Sequence, residues 1–285
     1  MGLYDAGNPM QPAFTKNQWL PSVRINQVYD KNGLYFIASN EGLYQFSNGL
    51  QQQPQRYFTG EKITSVLLAS NNELWAGTQQ HGLLKMKFSG LPDTGSRIVF
   101  NELAKGGRQI ENDRINKIVQ DKKGNIWVAT HSGINLWDPK NQQFIAHRKL
   151  FAEKLPGIIV QDLLVTEKYM YLATPNGLYK VEMLTTGGMP ASLKVAELYD
   201  EQHGLVNQFI CALQEDRNGN IWFTTTTGLL KLNTHNSIIH HFGKQDGVQI
   251  NAFHIASSFQ DNNGNLYFGG DNGLVFFNPE AVITS

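Results

Sequence analysis

Six copies of one β-meander pattern predict that this chain of 285 residues folds as an all-β propeller of four-stranded antiparallel blades. The first observation is the repeat itself. An apolar run, a polar Gly/Asn turn, an apolar–aromatic pair, a small or Thr step and a Gly-Leu or Gly-Ile pair recur at about 20–50, 60–90, 112–140, 157–183, 205–234 and 250–280. The aromatic anchors read as Tyr35, Trp75, Trp127, Tyr171, Trp222 and Tyr267, with matching glycines at 42, 82, 133, 177, 228 and 273. The second observation is local chemistry. Stretches such as Asn125–Thr130 and Asn220–Thr225 mix β-branched and aromatic residues, which fit a pleated, half-buried surface. The third is the near absence of helical patterning between copies, which favours a ring of complete meanders over a solenoid.

Each unit supplies its strands in a fixed order. Strand a is the apolar run that opens the copy, such as Ile115–Gln120. The a–b turn is Asp-Lys-Lys-Gly-Asn at 121–125, Asp-Arg-Asn-Gly-Asn at 216–220 and Asp-Asn-Asn-Gly-Asn at 261–265. In these, Gly supplies a positive φ and Asp or Asn bonds its own backbone. Strand b carries the anchor. The b–c turn around Ser132-Gly133 and its equivalents places Gly where φ > 0 is expected, and strand c follows. A weaker strand d is expected at 56–58, 194–199 and 238–242. Units two and four depart locally: Asn71-Asn72-Glu73 lacks the Asp-x-x-Gly turn, and Thr166-Glu167-Lys168 lacks its glycine. At the N-terminus, Gly2-Leu3-Tyr4 looks like Gly42-Leu43-Tyr44 and Gly177-Leu178-Tyr179. Residues 1–19 are therefore expected to give outer strands of a partial seventh blade, and six versus seven blades stays open. The whole chain, 1–285, reads as one propeller domain.

Composition narrows the function. The 24 basic and 24 acidic residues cancel, with pI about 7.1, so the basic excess of a nucleic-acid binder is missing. No apolar run approaches the ~20 residues that cross a bilayer, and the first twenty residues show no basic-then-apolar leader pattern. The single cysteine, Cys211, excludes an internal disulfide and a cysteine-built zinc site, and reads as a small buried hydrophobe. The Asp-x-Asn-Gly turns echo the start of a calcium loop, but position twelve is Thr227 or Asn272, not the required Glu. His240 and His241 are strand neighbours that point to opposite faces, so they cannot share a metal. No phosphate loop or nucleophile motif is present. No metal, cofactor or catalytic residue is expected.

The pattern I/V-x-x-I/L-x-x-D-x-x-G-N-I/L-W/Y-x-x-T-x-x-G-L/I, clearest at 115–139 and 210–232, resembles the regulator-propeller repeat of the periplasmic sensor regions of Bacteroides-type hybrid two-component systems. The last copy, from Asp246-Gly247-Val248 to Phe276-Phe277-Asn278-Pro279, resembles that family's terminal unit. The resemblance covers roughly 20–280. It implies a periplasmic domain that senses a small ligand, frequently an oligosaccharide. It also implies downstream immunoglobulin-like and kinase domains in a longer chain, and it leaves open whether two copies pair.

Blade geometry places the ligand. In an antiparallel meander the starts of strand a share one face with the b–c turns and ring the channel mouth. Those starts carry Arg24, Asn26, Lys62, Thr64, Arg114, Asn116, Asn207, Gln208, Asn251 and His254, donors suited to hydroxyl or carboxylate groups. The same groups would equally serve to solvate the mouth and bond neighbouring backbone. Trp19, Trp137 and Tyr57 lie outside the repeated anchors, where packing is the default and stacking on a sugar ring the alternative. Two further classes compete with the sensor. An enzyme on this scaffold would draw on Asp113 and Asp271, the carboxylates nearest the mouth. A protein-interaction platform needs no site chemistry at all.

Overall fold

The computed structural model describes residues 2–3, 15–16, 23–31, 33–47, 53–88, 98–104, 110–151, 158–186, 189–250 and 252–282. They form six antiparallel blades in chain order around a central axis. Blade one comprises Ile25–Lys31, Leu34–Ser39, Gly42–Ser47 and Gln55–Tyr57. Blade two comprises Ile63–Leu68, Glu73–Thr78, Leu83–Phe88 and Ile98–Ala104. Blade three comprises Ile115–Gln120, Ile126–Thr130, Gly133–Asp138 and Gln143–Ala146. Blade four comprises Asp162–Val165, Tyr169–Thr174, Gly177–Thr186 and Met189–Tyr199. Blade five comprises Ile210–Glu215, Ile221–Thr225, Leu229–Asn233 and Ile238–Phe242. Blade six has three strands, Phe253–Gln260, Leu266–Gly270 and Gly273–Phe277. The three expected outer strands are present: 238–242 at the expected limits, 56–58 shifted by one residue to Gln55–Tyr57, and 194–199 extended at its start to Met189–Tyr199. The outer strands of blades two and three come in addition, from segments without marked alternation.

The N-terminal Gly2–Leu3 pairs with Thr15–Lys16 in a separate two-stranded ribbon, hydrogen-bonded to no blade among the described residues. The intervening residues of the expected outer strands, and Trp19, lie outside the described residues.

The Asp-x-x-Gly-Asn turn has a second task besides turning the chain. Asp216 Oδ1 accepts the backbone N–H groups of Asn218 and Asn220, each at 2.9 Å, while Oδ2 accepts Trp222 Nε1–H at 2.9 Å. Asp121 does the same for Trp127 at 3.2 Å, and Asp261 for the Tyr267 hydroxyl at 3.0 Å. One carboxylate thus closes the turn and satisfies the polar tip of an aromatic that is otherwise core. In blade two the equivalent position is Ala69, and Trp75 Nε1 is buried with no acceptor. The departure read in the sequence therefore leaves an orphaned donor.

Blade one carries a correction. Its anchor is Phe36, not Tyr35. The hydroxyls of Ser39, Thr78, Thr130 and Thr174 each bond the carbonyl of the following b–c glycine, and the anchor sits three residues before each. In blade one Gly33 runs directly into Leu34 without the usual Asn, so alignment on the turn slips by one. A one-residue slip changes faces: Phe36 is fully buried between blades one and two, while Tyr35 is half-buried on the opposite face.

The core lies between blades. Trp75 packs edge-on to Trp137 at 5.2 Å and to Phe144 at 6.2 Å, and Trp222 packs on Phe277 of blade six at 4.7 Å. Side chains near the channel clasp adjacent inner strands. Gln27 Oε1 accepts Val66 N–H at 2.8 Å, Ser65 Oγ accepts Ile118 N–H at 3.0 Å, and Asp162 Oδ2 accepts Leu213 N–H at 2.9 Å.

The junction between blades six and one is different. Their inner strands pack more loosely than those of any other adjacent pair. Leu274 is 52% exposed, whereas its counterpart in blade five, Leu229, is 3% exposed. Phe259 and Phe276 on the same face, and Val28 opposite, are likewise about half exposed. A cleft of about 710 Å³ runs between the two blades, lined in part by Val28, Tyr35, Phe259, Tyr267 and Leu274. Among the described residues the ring has one open seam.

The b–c glycines adopt the expected positive φ in five blades, with Gly228 the exception. At Gly177, φ is +123° and an added Cβ would stand 2.5 Å from the Tyr199 carbonyl oxygen on strand d. Backbone cannot yield there without parting the strands. Gly177→Ala should therefore cost about 1–3 kcal/mol, read as a lower midpoint in urea unfolding. An unchanged midpoint would show that blade four relaxes more freely than its hydrogen bonds indicate.

Candidate functional site

Two sets of chain segments meet at one end of the channel: the starts of strand a and the b–c turns. Strand starts of blades one to five are held in place there by the side-chain clasps between neighbouring inner strands. A cavity of about 360 Å³ opens at this end. Of the ten residues expected at the site, Arg24, Asn26, Lys62, Thr64, Arg114, Asn116 and His254 line it. Gln79, His131, Gln161 and Ser257 also contribute polar groups, and Phe209 contributes an aromatic wall. The meander argument thus places strand starts and b–c turns together as the structure has them.

Three expected residues stand apart. Asn207 is spent locally: its Nδ2 donates to Thr226 Oγ1 at 2.6 Å and its Oδ1 accepts Phe209 N–H at 3.0 Å. Gln208 is half-buried outside the cavity lining, and the next residue, Phe209, takes the wall position. Asn251 lies outside the described residues.

Within the lining, polar groups divide by what they hold. Asn26 Nδ2 donates to Ile63 O at 2.6 Å, Thr64 Oγ1 to Ile115 O at 2.6 Å, and Asn116 Nδ2 to Val160 O at 2.7 Å. Each is the second residue of strand a or its equivalent, and each ties its blade to the next. Gln161 occupies the same place in blade four. It is 2% exposed, and its Oε1 has no partner. Alignment of Gln161 with Asn26, Thr64 and Asn116 is the signal by which the sequence could have found it. Gln79 and His131 come from b–c turns, where the repeat imposes no side-chain type.

Charge at the mouth is one-sided. Arg24 and Arg114 are exposed and Lys62 is half-buried, and none of them forms an ion pair among the described residues. Burial and the neighbouring Arg114 charge hold His131 below the usual histidine range. It is therefore neutral at pH 7, and Asn116 Nδ2 lies 3.1 Å from its Nδ1. An amide donor there places the ring proton on Nε2. The carboxylates weighed for an enzyme do not join the lining: Asp271 pairs with His254 at 2.6 Å on the rim, and Asp113 uses its backbone carbonyl to accept Gly82 N–H. Among the described residues no group of three or more His, Cys, Asp or Glu side chains could hold a metal ion.

Trp137 and Tyr57 stand elsewhere. Trp137 is buried against Trp75 and Phe144, and the Tyr57 hydroxyl lies within hydrogen-bond distance of the Gln45 and Gln55 side-chain amides in blade one. Cys211 is fully buried in strand a of blade five, where desolvation, with Asp162 adding to it, pushes its thiol up to about 12. A thiol reagent at pH 8 should leave the native protein unmodified and label it fully in guanidinium, as read by intact mass. Rapid native labelling would contradict the burial.

The fold and this mouth define a β-propeller that presents a basic, amide-lined cavity at one end of its channel. The family model of the two-component regulator propeller matches residues 109–132 and 204–227, within blades three and five. Histidine kinase P4 of Formosa agariphila is 25% identical over 235 residues, covering 79% of this chain and 16% of that protein. The extracellular domain of a hybrid two-component system from B. thetaiotaomicron superposes with a TM-score of 0.72 at 21% identity, over 98% of this chain and 36% of that one. Virginiamycin B lyase of Staphylococcus aureus superposes with a TM-score of 0.63 at 11% identity, over 91% of this chain and 83% of that one. At such identities the two solved structures bear on the fold. The chain spans 16% of the kinase and 36% of the extracellular domain it matches. No described helix is long and apolar enough to cross a membrane.

Proposed function

We propose that this chain is the ligand-sensing propeller of a hybrid two-component protein, acting in the periplasm and binding an oligosaccharide at the channel mouth. The observation that carries this reading is the gathering of seven strand-start side chains from four blades into one cavity at the end of the channel. Amide, hydroxyl and imidazole groups in that wall match the donors and acceptors of sugar hydroxyls. The family match and the extracellular neighbours support the signalling context. Binding would act by differential affinity for two states of a longer chain with immunoglobulin-like and kinase domains, because a ligand shifts an equilibrium only by that difference.

A thermal-shift screen against defined oligosaccharides tests the reading. A ligand at ~100 times its dissociation constant adds about 2.7 kcal/mol to the folded state, a clear rise in Tm. Replacement of Arg24, Arg114 and His254 together should abolish that rise while leaving the unliganded Tm close to wild type. Undiminished binding by the triple variant would remove the site from the mouth.

A second reading, a platform for a protein partner, is favoured by the exposed apolar face of blade six. A catalytic reading has less to work with, since neither Asp113 nor Asp271 reaches the cavity.

A further inference from the structure

The cavity wall is selective in charge, and that narrows the ligand. Resting on the oligosaccharide reading above, we propose that the mouth binds an acidic oligosaccharide, seating a carboxylate or sulfate among Arg24, Lys62 and Arg114 and a hydroxyl on Gln161.

The chain as a whole is neutral, with 24 basic and 24 acidic residues. Its channel mouth is not. Arg24, Lys62 and Arg114 come from three consecutive blades, and no Asp or Glu accompanies them in the lining among the described residues. The three stand at the equivalent place in their blades, at the start of strand a, so the ring symmetry converges them on one opening. Three like charges around one opening repel each other unless an anion sits among them, and a cleft walled by low-dielectric protein concentrates that field. His131, held neutral by burial and then by the Arg114 charge, adds no further cation and presents a hydrogen-bonding ring beside them.

The same wall asks for hydroxyl groups as well as charge. Gln161 is 2% exposed and lines the cavity, and its Oε1 has no donor. A buried amide oxygen left unbonded costs about 1–3 kcal/mol, which a sugar hydroxyl would recover. The counterparts Asn26, Thr64 and Asn116 direct their donors into the next blade's carbonyls, so Gln161 is the member of that ring left for a ligand. Sulfate or chloride alone would meet the cations but leave Gln161 unserved, having no donor to offer it. A flat aromatic anion would find a single aromatic wall, Phe209. The cavity, about 360 Å³, falls within the ~300–1,000 Å³ that small-molecule sites occupy.

Isothermal titration with three probes of matched length decides the matter: a galacturonate tetrasaccharide, a sulfated galactose tetrasaccharide and a neutral galactose tetrasaccharide. At least one acidic probe should bind about tenfold or more tighter than the neutral one, and lose affinity roughly severalfold between about 50 and 300 mM NaCl, as the screening of a few charges requires. Which of the two binds identifies carboxylate or sulfate. Arg24→Gln and Arg114→Gln should each weaken the acidic probe about tenfold, and Gln161→Leu should weaken it without changing the salt slope. Equal or tighter binding of the neutral probe would overturn the acidic assignment while leaving an oligosaccharide site in place. Acidic binding that survives Arg24→Gln and Arg114→Gln would overturn the placement of the charge. Binding of none of the three overturns the proposal together with the reading it rests on, and circular dichroism of each variant separates these outcomes from misfolding.

Discussion

Asp216→Ala should lower the unfolding free energy by about 3–5 kcal/mol, among the largest single effects available in this molecule. The carboxylate is 5% exposed and is bonded by two backbone N–H groups, the Asn220 amide and Trp222 Nε1. Removing it strands several buried donors at once, each costing about 1–3 kcal/mol when unserved, though not additively. At about 2–4 °C per kcal/mol for a domain approaching this size, calorimetry should show a Tm drop on the order of 10 °C. The control is internal to the fold. Trp222→Phe gives up a bond to a buried carboxylate oxygen that keeps only the Asn220 amide, whereas Trp75→Phe gives up a donor that has no partner. The first should cost clearly more than the second. Equal costs for the two tryptophans would mean that the Asp–Trp bond contributes nothing net.

The second large effect lies beside the channel. Asp162 is 1% exposed and joins three blades: its Oδ1 sits 3.3 Å from Lys117 Nζ of blade three, and its Oδ2 accepts Leu213 N–H of blade five. Asp162→Ala leaves Lys117, itself largely buried, without its counter-charge, and leaves an inner-strand N–H unbonded. Breaking one side of a buried pair costs about 3–5 kcal/mol. Lys117→Met should cost less, because Asp162 keeps the Leu163 and Leu213 N–H donors. Adding Lys117→Met to Asp162→Ala should recover part of the loss, since the stranded ammonium goes with it. Guanidinium unfolding of the four proteins measures the cycle. A loss below ~1 kcal/mol for Asp162→Ala would refute the buried-clasp account.

Much of this was legible because the repeat enforces it. Six meanders, their a–b turns and five of six anchors follow from residues whose physics is local: Asp and Gly in a turn, an aromatic three residues before a hydroxyl. Blade one shows the limit of that logic. Losing one Asn after Gly33 shifts the apparent anchor to Tyr35, and only the hydrogen bond from Ser39 to Gly42 restores the phase. The mouth was legible for the same reason, since strand starts recur in register. Asn207 was misread because its side chain serves its own loop, a choice set by Thr226 nineteen residues away. Gln161 and the b–c turn residues escaped notice because what distinguishes them is the neighbour they have or lack. The open seam could not be read at all: Phe259, Leu274 and Phe276 look in sequence like any other buried strand residues.

That seam makes the ring a split washer. Five joints are clasped by side chains and apolar packing, so the bore can change chiefly by the free ends moving together or apart. Arg24 of blade one and His254 of blade six stand on opposite lips of the gap and both line the mouth cavity. A ligand touching both is a clip across the split, converting a small binding event into a change of radius felt all round the rim. Amide exchange in strands a of blades one and six should be the fastest among the inner strands of the free protein, and should slow most when the clip is in place.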